Sequence, residues 1–480
     1  MELDTNFKTI LKETMDNHKF LQFDSFIIKE MGFSFSENEG LQEEEIQEIR
    51  RKAFKEFRKR TNKHEFASMP TMRRWFGIHG MSRPSRENVY EICFYLKVNR
   101  EKIKDFLTKG LGEPSFQIND YQEIIFLYGI ENQFSYEECQ KMIRIFEGNL
   151  DHEVEFQKTH TTKELCSQYE ASKKFNKEEF ILWMSDRADW FKGYSQTVMD
   201  YLGRIRTNII DEIRADAKDR LDELLSEAGY STWLKQHKKD VKHKDEKSLI
   251  KSFIQTTKNK KHYHVDEITA KNIVELCRIA LGEKEANTKL LSEVYACDPM
   301  DKMKENLNNL SSIRIMSGKY LSDLFHVPEK KEQEIRLSQA LRVLNELDDT
   351  MPCPEWIRQL GETYTNYKGD FSSVEDAKQT LVLYQKEQRR RCLMIQRGDI
   401  LPMILHIAQQ RYLRNHDDEY VAEDAKNEFC QLANSILNAC NMENLSEQFE
   451  LDVALLASFQ PDEMYSYSDI LDALELRKEG

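Results

Sequence analysis

The sequence predicts an all-α, multi-domain helical protein, and three properties of the chain lead to this fold class. Its 480 residues exceed the size of one typical hydrophobic core, so about two to four domains are expected. Gly and Pro number only 17 and 9, which is few for the many turns of an all-β fold. Several segments also repeat apolar residues at spacings of three and four, as one face of an α-helix requires.

Composition excludes several other classes of protein. Hydrophobic residues make up 40% of the chain and aromatic residues 10%, which is enough to form packed cores and argues against a disordered chain. No stretch has the uncharged apolar length of a membrane span, and the N-terminus lacks the apolar core of a signal peptide. The nine cysteines form no Cys-x-x-Cys pair, so we expect reduced thiols, no metal site and a cytoplasmic location. No cofactor motif is present.

The first two segments are a helical lead-in, residues 1–40, and a second block, residues 41–112. The lead-in ends in the polar, Gly-containing stretch FSFSENEG, where a connection is expected. The second block opens with Glu43, Glu44, Glu45 and Glu48 and becomes basic from Arg50. Because the helix dipole favours acidic residues first and basic residues last, part of this basic run has a structural explanation.

The basic run between Arg50 and Arg86 is the most informative feature of the chain. Twelve Lys or Arg residues there accompany only two acidic ones, a local charge of about +10 in a protein whose net charge is -14. A concentrated positive surface can bind a polyanion because binding releases condensed counterions. DNA is therefore a possible partner of residues 50–86, and a solvated basic helix is the alternative.

The middle of the chain is predicted to hold a helical domain, residues 113–236, followed by a basic linker, residues 237–264. Gly229 is placed to end the clearest amphipathic helix, whose apolar residues recur at helical spacing: Ile209, Ile210, Ile213, Leu221, Leu224 and Leu225. From Lys235 to Lys261 there are ten basic and three acidic residues and few large apolar ones, which predicts an exposed junction.

Two further helical segments follow, residues 265–350 and the C-terminal domain, residues 351–480. EITAKNIVELCRIALG and QEIRLSQALRVLNELDD both have a helical apolar period. MPCPEW contains two prolines within three residues and predicts the boundary between the two segments. Helices are expected beyond it around SVEDAKQTLVLYQKEQRRRCLMI, ILPMILHIAQQRYL and AEDAKNEFCQLANSILNAC.

One stretch of the second block, ASMPTMRRWFGIHGMSRPSRENVYEICFYLKVNREKIKDFL, resembles a known family. It looks like the latter half of a λ-repressor-like (Cro- or XRE-type) helix-turn-helix domain. Its landmarks are a helix at 71–76, a loop at 77–83, a helix at 84–96 and a closing helix at 99–107. KRTNKHEFASMP, which precedes the first of these helices, leaves little room for the separate scanning helix that the family has.

The resemblance implies roles for six residues. In such domains the helix before the Trp enters the major groove, so Thr71, Arg73 and Arg74 are expected to face the bases. The side chains around the following loop contact phosphates, and these are expected to be Arg83, Ser85 and Arg86. Arginine suits either task, because its planar fork can pair with a guanine edge or with phosphate oxygens.

The leading hypothesis is therefore a DNA-binding regulatory protein with a helical sensor or interaction region, in a bacterial or mobile-element setting. A homodimer or a protein partner is expected, because one such module reads few base pairs. The alternative within the same fold is a helical interaction scaffold that does not bind DNA. Such a scaffold would show no salt-dependent affinity for DNA.

A third hypothesis concerns RYLRNHDDEY near the C-terminus. Arg411 and His416 resemble the Arg-x4-His motif of HEPN-type ribonucleases. The resemblance implies metal-independent RNA cleavage, in which His416 handles protons and Arg411 stabilises phosphate charge. Five residues of ideal helix turn the two side chains about 140° apart, so a shared site needs a helix end or a distortion. A charged helix end without catalytic function is the alternative.

Overall fold

The fold is all-α, as predicted: the computed structural model is 70% helical, and the residues that it describes contain essentially no strands. It describes residues 5–18, 20, 23–34, 43–156, 162–237, 245–260, 262–282, 291–292, 294–295, 297, 313, 316–363, 369–388, 394–416 and 420–476. The helices of its first half are α1 Thr5–Asn17, α2 Phe23–Glu30, α3 Glu43–Arg60, α4 Met69–Trp75, α5 Arg86–Leu96, α6 Arg100–Asp105, α7 Tyr121–Glu131, α8 Tyr136–Asn149, α9 Thr162–Ser172, α10 Lys177–Ser185 and α11 Gln196–Glu227. A π-helical turn, Phe106–Gly110, continues α6, and a 3-10 turn, Ala188–Trp190, follows α10.

The second half of the chain contributes eleven more helices to the described part of the structure. They are α12 Tyr230–Gln236, α13 Glu246–Thr257, α14 Glu267–Ala280, α15 Gly318–Leu324, α16 Val327–Glu346, α17 Glu355–Thr363, α18 Val374–Gln388, α19 Arg397–Asn415, α20 Ala422–Ala439, α21 Glu450–Leu456 and α22 Tyr467–Ala473. Among the described helices, none is long and apolar enough to cross a membrane.

Helices α2 to α10 share one hydrophobic core. Three of them, α4 to α6, occur where the sequence predicted the helices of the second block, at 71–76, 84–96 and 99–107. Phe54 and Phe57 of α3 pack on Phe76, just after α4, with ring centroids 5.3 and 5.2 Å apart. The core also includes α7 to α10, so the boundary expected after residue 112 does not separate two cores.

The helical lead-in is divided between two cores. Phe23 and Ile27 of α2 lie in the N-terminal core, whereas Phe7 and Leu11 of α1 lie in the C-terminal one. The ring of Phe7 stacks on Tyr465 with centroids 3.8 Å apart. Helix α1 therefore packs against the C-terminal part of the described chain.

The long helix α11 confirms the amphipathic prediction, and Gly229 follows its end with a φ of +85°. Its C-terminal half packs with α12, α13 and α14 in a smaller core. Helix α13 lies inside the stretch that the sequence predicted to be an exposed linker. It is a packed helix instead, because Asp245 caps its first turn and its residues Ile250 and Phe253 are buried against Trp233. Residues 238–244 and 261 of that stretch lie outside the described residues.

Residues on both sides of the boundary predicted at MPCPEW also share one core. Leu337 and Leu344 of α16, before the boundary, pack with Ile357 and Leu381, which come after it. Helices α19 to α22 form the C-terminal core together with α1, α15 and the first half of α11. Segments separated along the chain therefore share cores, and apolar periodicity alone did not indicate which segments would pair.

Gly77 lies in the turn that follows α4, and its replacement tests the packing of that turn against the side chains beneath it. Its φ is +69°, and an added Cβ would lie 2.7 Å from the guanidinium carbon of Arg50 and 2.9 Å from Asp24 Oδ2. These two side chains form a largely buried ion pair, with an N–O distance of 3.0 Å. We expect Gly77→Ala to lower the free energy of unfolding by about 2 to 4 kcal/mol, from backbone strain and displacement of the ion pair.

Gly112 provides the matched control for this substitution. Its φ is also +69°, but no atom lies within 4 Å of an added Cβ. Gly112→Ala should therefore cost only the strain, about 1 kcal/mol. Urea unfolding of both variants measures the difference, and equal losses would show that the ion pair does not restrict residue 77.

Candidate nucleic-acid interface

Helix α4 exposes two arginines to solvent, because its cap fixes where the helix begins and its apolar residues fix which side is buried. The Ser68 hydroxyl caps it by accepting a hydrogen bond from the Thr71 N–H at 3.4 Å, and Pro70 lies in the first turn. Met72 and Trp75 are buried against the core. Arg73 and Arg74 are consequently exposed, on the side of α4 that faces away from the core.

Thr71 and the loop after α4 are held by local hydrogen bonds. The Thr71 hydroxyl lies 2.8 Å from the Ser68 hydroxyl, and Thr71 is half-buried. The Arg74 carbonyl accepts from the N–H groups of Gly77 and Ser82, at 3.1 and 3.2 Å. The loop therefore folds back on the end of α4 and is bonded to the backbone of Arg74, whose side chain is exposed.

Six of the twelve cations between Arg50 and Arg86 are exposed and form no ion pair within the described part of the chain. They are Arg51, Lys55, Lys59, Lys63, Arg73 and Arg74. The first three recur every four residues and lie on one side of α3, opposite the buried Ala53 and Phe57. Five of these six cations lie on the outer faces of α3 and α4, and Lys63 lies in the connection between the two helices.

Arg86 is turned inward, in contrast to the expected phosphate contact. Its guanidinium donates to the Glu123 carboxylate at 2.6 and 2.9 Å and to the carbonyls of Pro114 and Ser115 at 2.7 and 2.8 Å. Only 12% of the Arg86 side chain and 10% of the Glu123 side chain are exposed. Because its donors are directed at protein acceptors, Arg86 joins α5 to α7 and to the segment before α7. It is therefore not a candidate DNA contact.

The electrostatics around Arg86 support this structural role. Burial disfavours its charge, yet Glu123, Tyr90 and Glu113 together raise the pKa of Arg86 above its ordinary value. The Tyr90 hydroxyl donates to Glu123 at 2.7 Å, and burial raises the pKa of Tyr90. Nearby, burial raises the pKa of Asp120 to about 6. Arg86, Glu123 and Tyr90 therefore form a hydrogen-bonded network inside the protein, in which the charge of Arg86 is balanced by that of Glu123.

Arg83 and Ser85 lie at the start of α5. The Ser85 hydroxyl is exposed and caps α5 in a reciprocal arrangement with Asn88, whose N–H donates to it at 3.2 Å. Arg83 is half-buried, and its Nη1 lies 3.5 Å from the Leu111 carbonyl. Both positions flank the N-terminus of an 11-residue helix, where backbone N–H groups favour an anion.

Residues 61–68, between α3 and α4, contain no helix. Arg58 donates to the His64 carbonyl, and the His64 ring lies 2.8 Å from the Glu91 carboxylate and stacks on Tyr95. No separate scanning helix therefore lies between α3 and α4, and α3 is the helix that directly precedes α4. The arrangement differs in this respect from the family it resembles, in which a short turn joins the two helices.

Arg411 and His416 do not form a common site. His416 follows the last residue of α19, and its ring stacks on Tyr412 and lies 3.1 Å from the Tyr412 carbonyl. Arg411 is exposed on the regular part of the helix. Within the described residues, no hydrogen bond or ion pair joins the two side chains.

Carboxylates also surround the arginines at this end of α19. Arg414 pairs with Glu212 and Asp216 of α11, at 3.6 and 3.5 Å. Burial raises the pKa of Glu212, and the charges of Arg414 and Arg411 oppose that shift. Because these carboxylates repel phosphate, the geometry does not favour the ribonuclease hypothesis.

Comparisons with models of protein families, with curated proteins and with solved structures find no match to this chain.

Proposed function

We propose that this protein is a DNA-binding regulator whose N-terminal region contacts DNA through the outer faces of α3 and α4. The observation that carries this proposal is the set of six exposed cations defined above, in a chain of net charge -14. An acidic protein gains affinity for a polyanion only where positive charge is concentrated, and release of counterions supplies the free energy.

Individual residues would have distinct roles in this interface. Arg73 and Arg74 are exposed on α4 and can pair with guanine edges or phosphates. Arg83 and Ser85, beside the N-terminus of α5, would contact the phosphate backbone. Arg86 would act only indirectly, because its bond to Glu123 holds α5 in place. Thr71 is half-buried and would reach a base only at the edge of α4.

The helical remainder would serve as a sensor or interaction region, in a cytoplasmic and bacterial setting. A homodimer stays part of the proposal, since α4 has only seven residues and one copy would read few base pairs. The full-length chain is the appropriate material for any test, because Phe7 of α1 packs on Tyr465 and a fragment ending near residue 112 would expose it.

The test is binding of the full-length protein to a pool of random-sequence DNA duplexes across a salt series. We expect affinity to fall steeply with salt and a sequence to be enriched. Changing Arg73 and Arg74 together to Ala should abolish the enrichment, and if both contact phosphates it should reduce the log–log salt slope by about 1.8. The control is Lys251→Ala with Lys271→Ala, which removes the same charge from exposed positions on α13 and α14.

Two results would contradict the proposal. Absence of binding at low salt removes DNA as a partner and leaves the interaction scaffold. Equal losses in the Arg73/Arg74 variant and in the lysine control show that net charge, and not the face of α4, determines the affinity.

A further inference from the structure

A cleft of about 540 Å³ lies beside α19, far along the chain from the proposed DNA interface. One of its walls is a single face of that helix, formed by Pro402, His406, Gln409 and Leu413. Its other described lining residues are Ile213, Val294, Gln410, Tyr420, Asp462, Glu463, Met464, Ser466, Tyr467 and Asp469. The volume is within the range of about 300 to 1,000 Å³ that is typical of small-molecule sites.

The walls of the cleft are largely apolar. Ile213 from α11, Pro402 and Leu413 from α19, and Met464 contribute aliphatic surface. Leu413 is 55% exposed, so this wall includes a large apolar side chain that the fold leaves open to solvent. Such a wall can bury the hydrocarbon part of a ligand, at about 25 cal/mol per Å² of apolar surface removed from water.

Two polar side chains in the cleft have no hydrogen-bond partner among the described residues. His406 is half-buried, and this burial lowers its pKa, so the ring is neutral near pH 7 and offers one acceptor and one donor nitrogen. Gln410, one turn further along, is half-buried. A ligand can therefore form hydrogen bonds here without breaking existing ones.

The charge of the cleft selects the class of ligand. Asp462, Glu463 and Asp469 line it, whereas none of its described lining residues is Lys or Arg. Two of these carboxylates are held in position: Glu463 accepts from the Tyr465 hydroxyl at 2.7 Å, and Asp469 accepts from the Ser466 N–H at 2.8 Å. A fixed carboxylate rim beside an apolar wall attracts cations and repels phosphates and carboxylates.

We propose that this cleft binds a small organic cation, with its protonated amine toward the carboxylate rim and its apolar body against Pro402 and Leu413. The neutral ring of His406 accepts a hydrogen bond from the amine or from a polar group on the body. This site is separate from the DNA interface, and the proposal does not depend on DNA binding.

Isothermal titration calorimetry of the full-length protein with three phenolic probes tests the proposal. Tyramine carries a protonated amine, N-acetyltyramine has a similar body without charge, and hydroxyphenyl propionate carries a carboxylate. We expect tyramine to bind at least about 10-fold more tightly than either of the others. Comparable binding of all three probes, or no binding of tyramine, would overturn the assignment of a cation site.

Variants then locate the binding. Asp462→Asn with Glu463→Gln removes two exposed rim charges and should weaken tyramine binding about 10-fold, with little effect on folding. Leu413→Arg places a cation on the exposed wall and should abolish binding. The control, Glu101→Gln with Glu223→Gln, removes two exposed charges from α6 and α11. If the cleft variants bind like the wild type, or if the control weakens binding equally, the cleft is not the site.

Discussion

Replacing Arg397 with methionine is expected to lower the free energy of unfolding by about 3 to 5 kcal/mol. Arg397 begins α19, and its side chain is 5% exposed. It donates to the carboxylate of Asp452, which is 0% exposed, and to the carbonyls of Glu443 and Asn444. Without Arg397, the charge of Asp452 stays buried and the Ser446 N–H is its one remaining described donor.

The loss should depend on pH, and the sign follows from the pKa of Asp452. Burial raises this pKa, and Arg397 opposes the shift only in part. In the variant, Arg397 no longer lowers the pKa of Asp452, so this pKa rises further above its value in the unfolded chain. Native Asp452 then binds a proton more readily than unfolded Asp452 does, and the free energy of unfolding falls as pH rises. The deficit of Arg397→Met should therefore be smaller at about pH 4 than at about pH 7, as urea unfolding at both values would measure.

Two further variants separate the buried pair from a general effect of arginine. Arg411→Met, on the exposed face of the same helix, should change stability by no more than about 0.5 kcal/mol. The double variant Arg397→Met with Asp452→Leu should recover about half of the loss or more, because it removes both charges. A double variant as unstable as Arg397→Met would mean that the bonds to the Glu443 and Asn444 carbonyls, and not the charge pair, hold this region.

Arg86→Met is the second substitution with a large expected effect, again about 3 to 5 kcal/mol. It leaves Glu123 buried without its guanidinium and removes the donors to the Pro114 and Ser115 carbonyls. Arg86→Lys should also destabilise, by about 2 kcal/mol, since an ammonium cannot reproduce the bidentate bond and the two carbonyl contacts together. Chemical unfolding monitored by circular dichroism measures both.

This substitution also distinguishes a structural arginine from a DNA contact. Adding Glu123→Gln to Arg86→Met should recover part of the stability, because the amide oxygen can still accept from Tyr90 and Gln117. DNA affinity of the Arg86 variants should fall only in proportion to their unfolded fraction, whereas Arg73→Ala with Arg74→Ala should lose affinity while staying folded. A stable Arg86 variant that cannot bind DNA would restore Arg86 to the interface.

The local features of the proposed interface could be predicted from the sequence. A Ser or Gly at a helix end acts on backbone groups a few residues away, so Ser85 and Gly229 mark helix ends that the structure shows. The exposure of Arg73 and Arg74 also depends only on neighbouring residues, because the apolar Met72 and Trp75 determine which side of α4 is buried.

Other parts depended on contacts that no local pattern encodes. Arg86 and Arg83 are similar in sequence context, yet only Arg86 has Glu123 directed at its guanidinium, 37 residues further along. The basic stretch after Lys235 has too few apolar residues to mark it as core, but Ile250 and Phe253 suffice once Trp233 lies against them. The cleft beside α19 likewise combines segments from several parts of the chain.

The sequence by itself determined the helical class, the ends of many helices and the concentration of positive charge near the N-terminus, because each depends on composition or on neighbours within one or two helical turns. The tertiary structure decided which charges are buried, which helices share a core and where a cavity remains. These depend on desolvation and on side chains far apart in the chain, so they are set only when the helices pack.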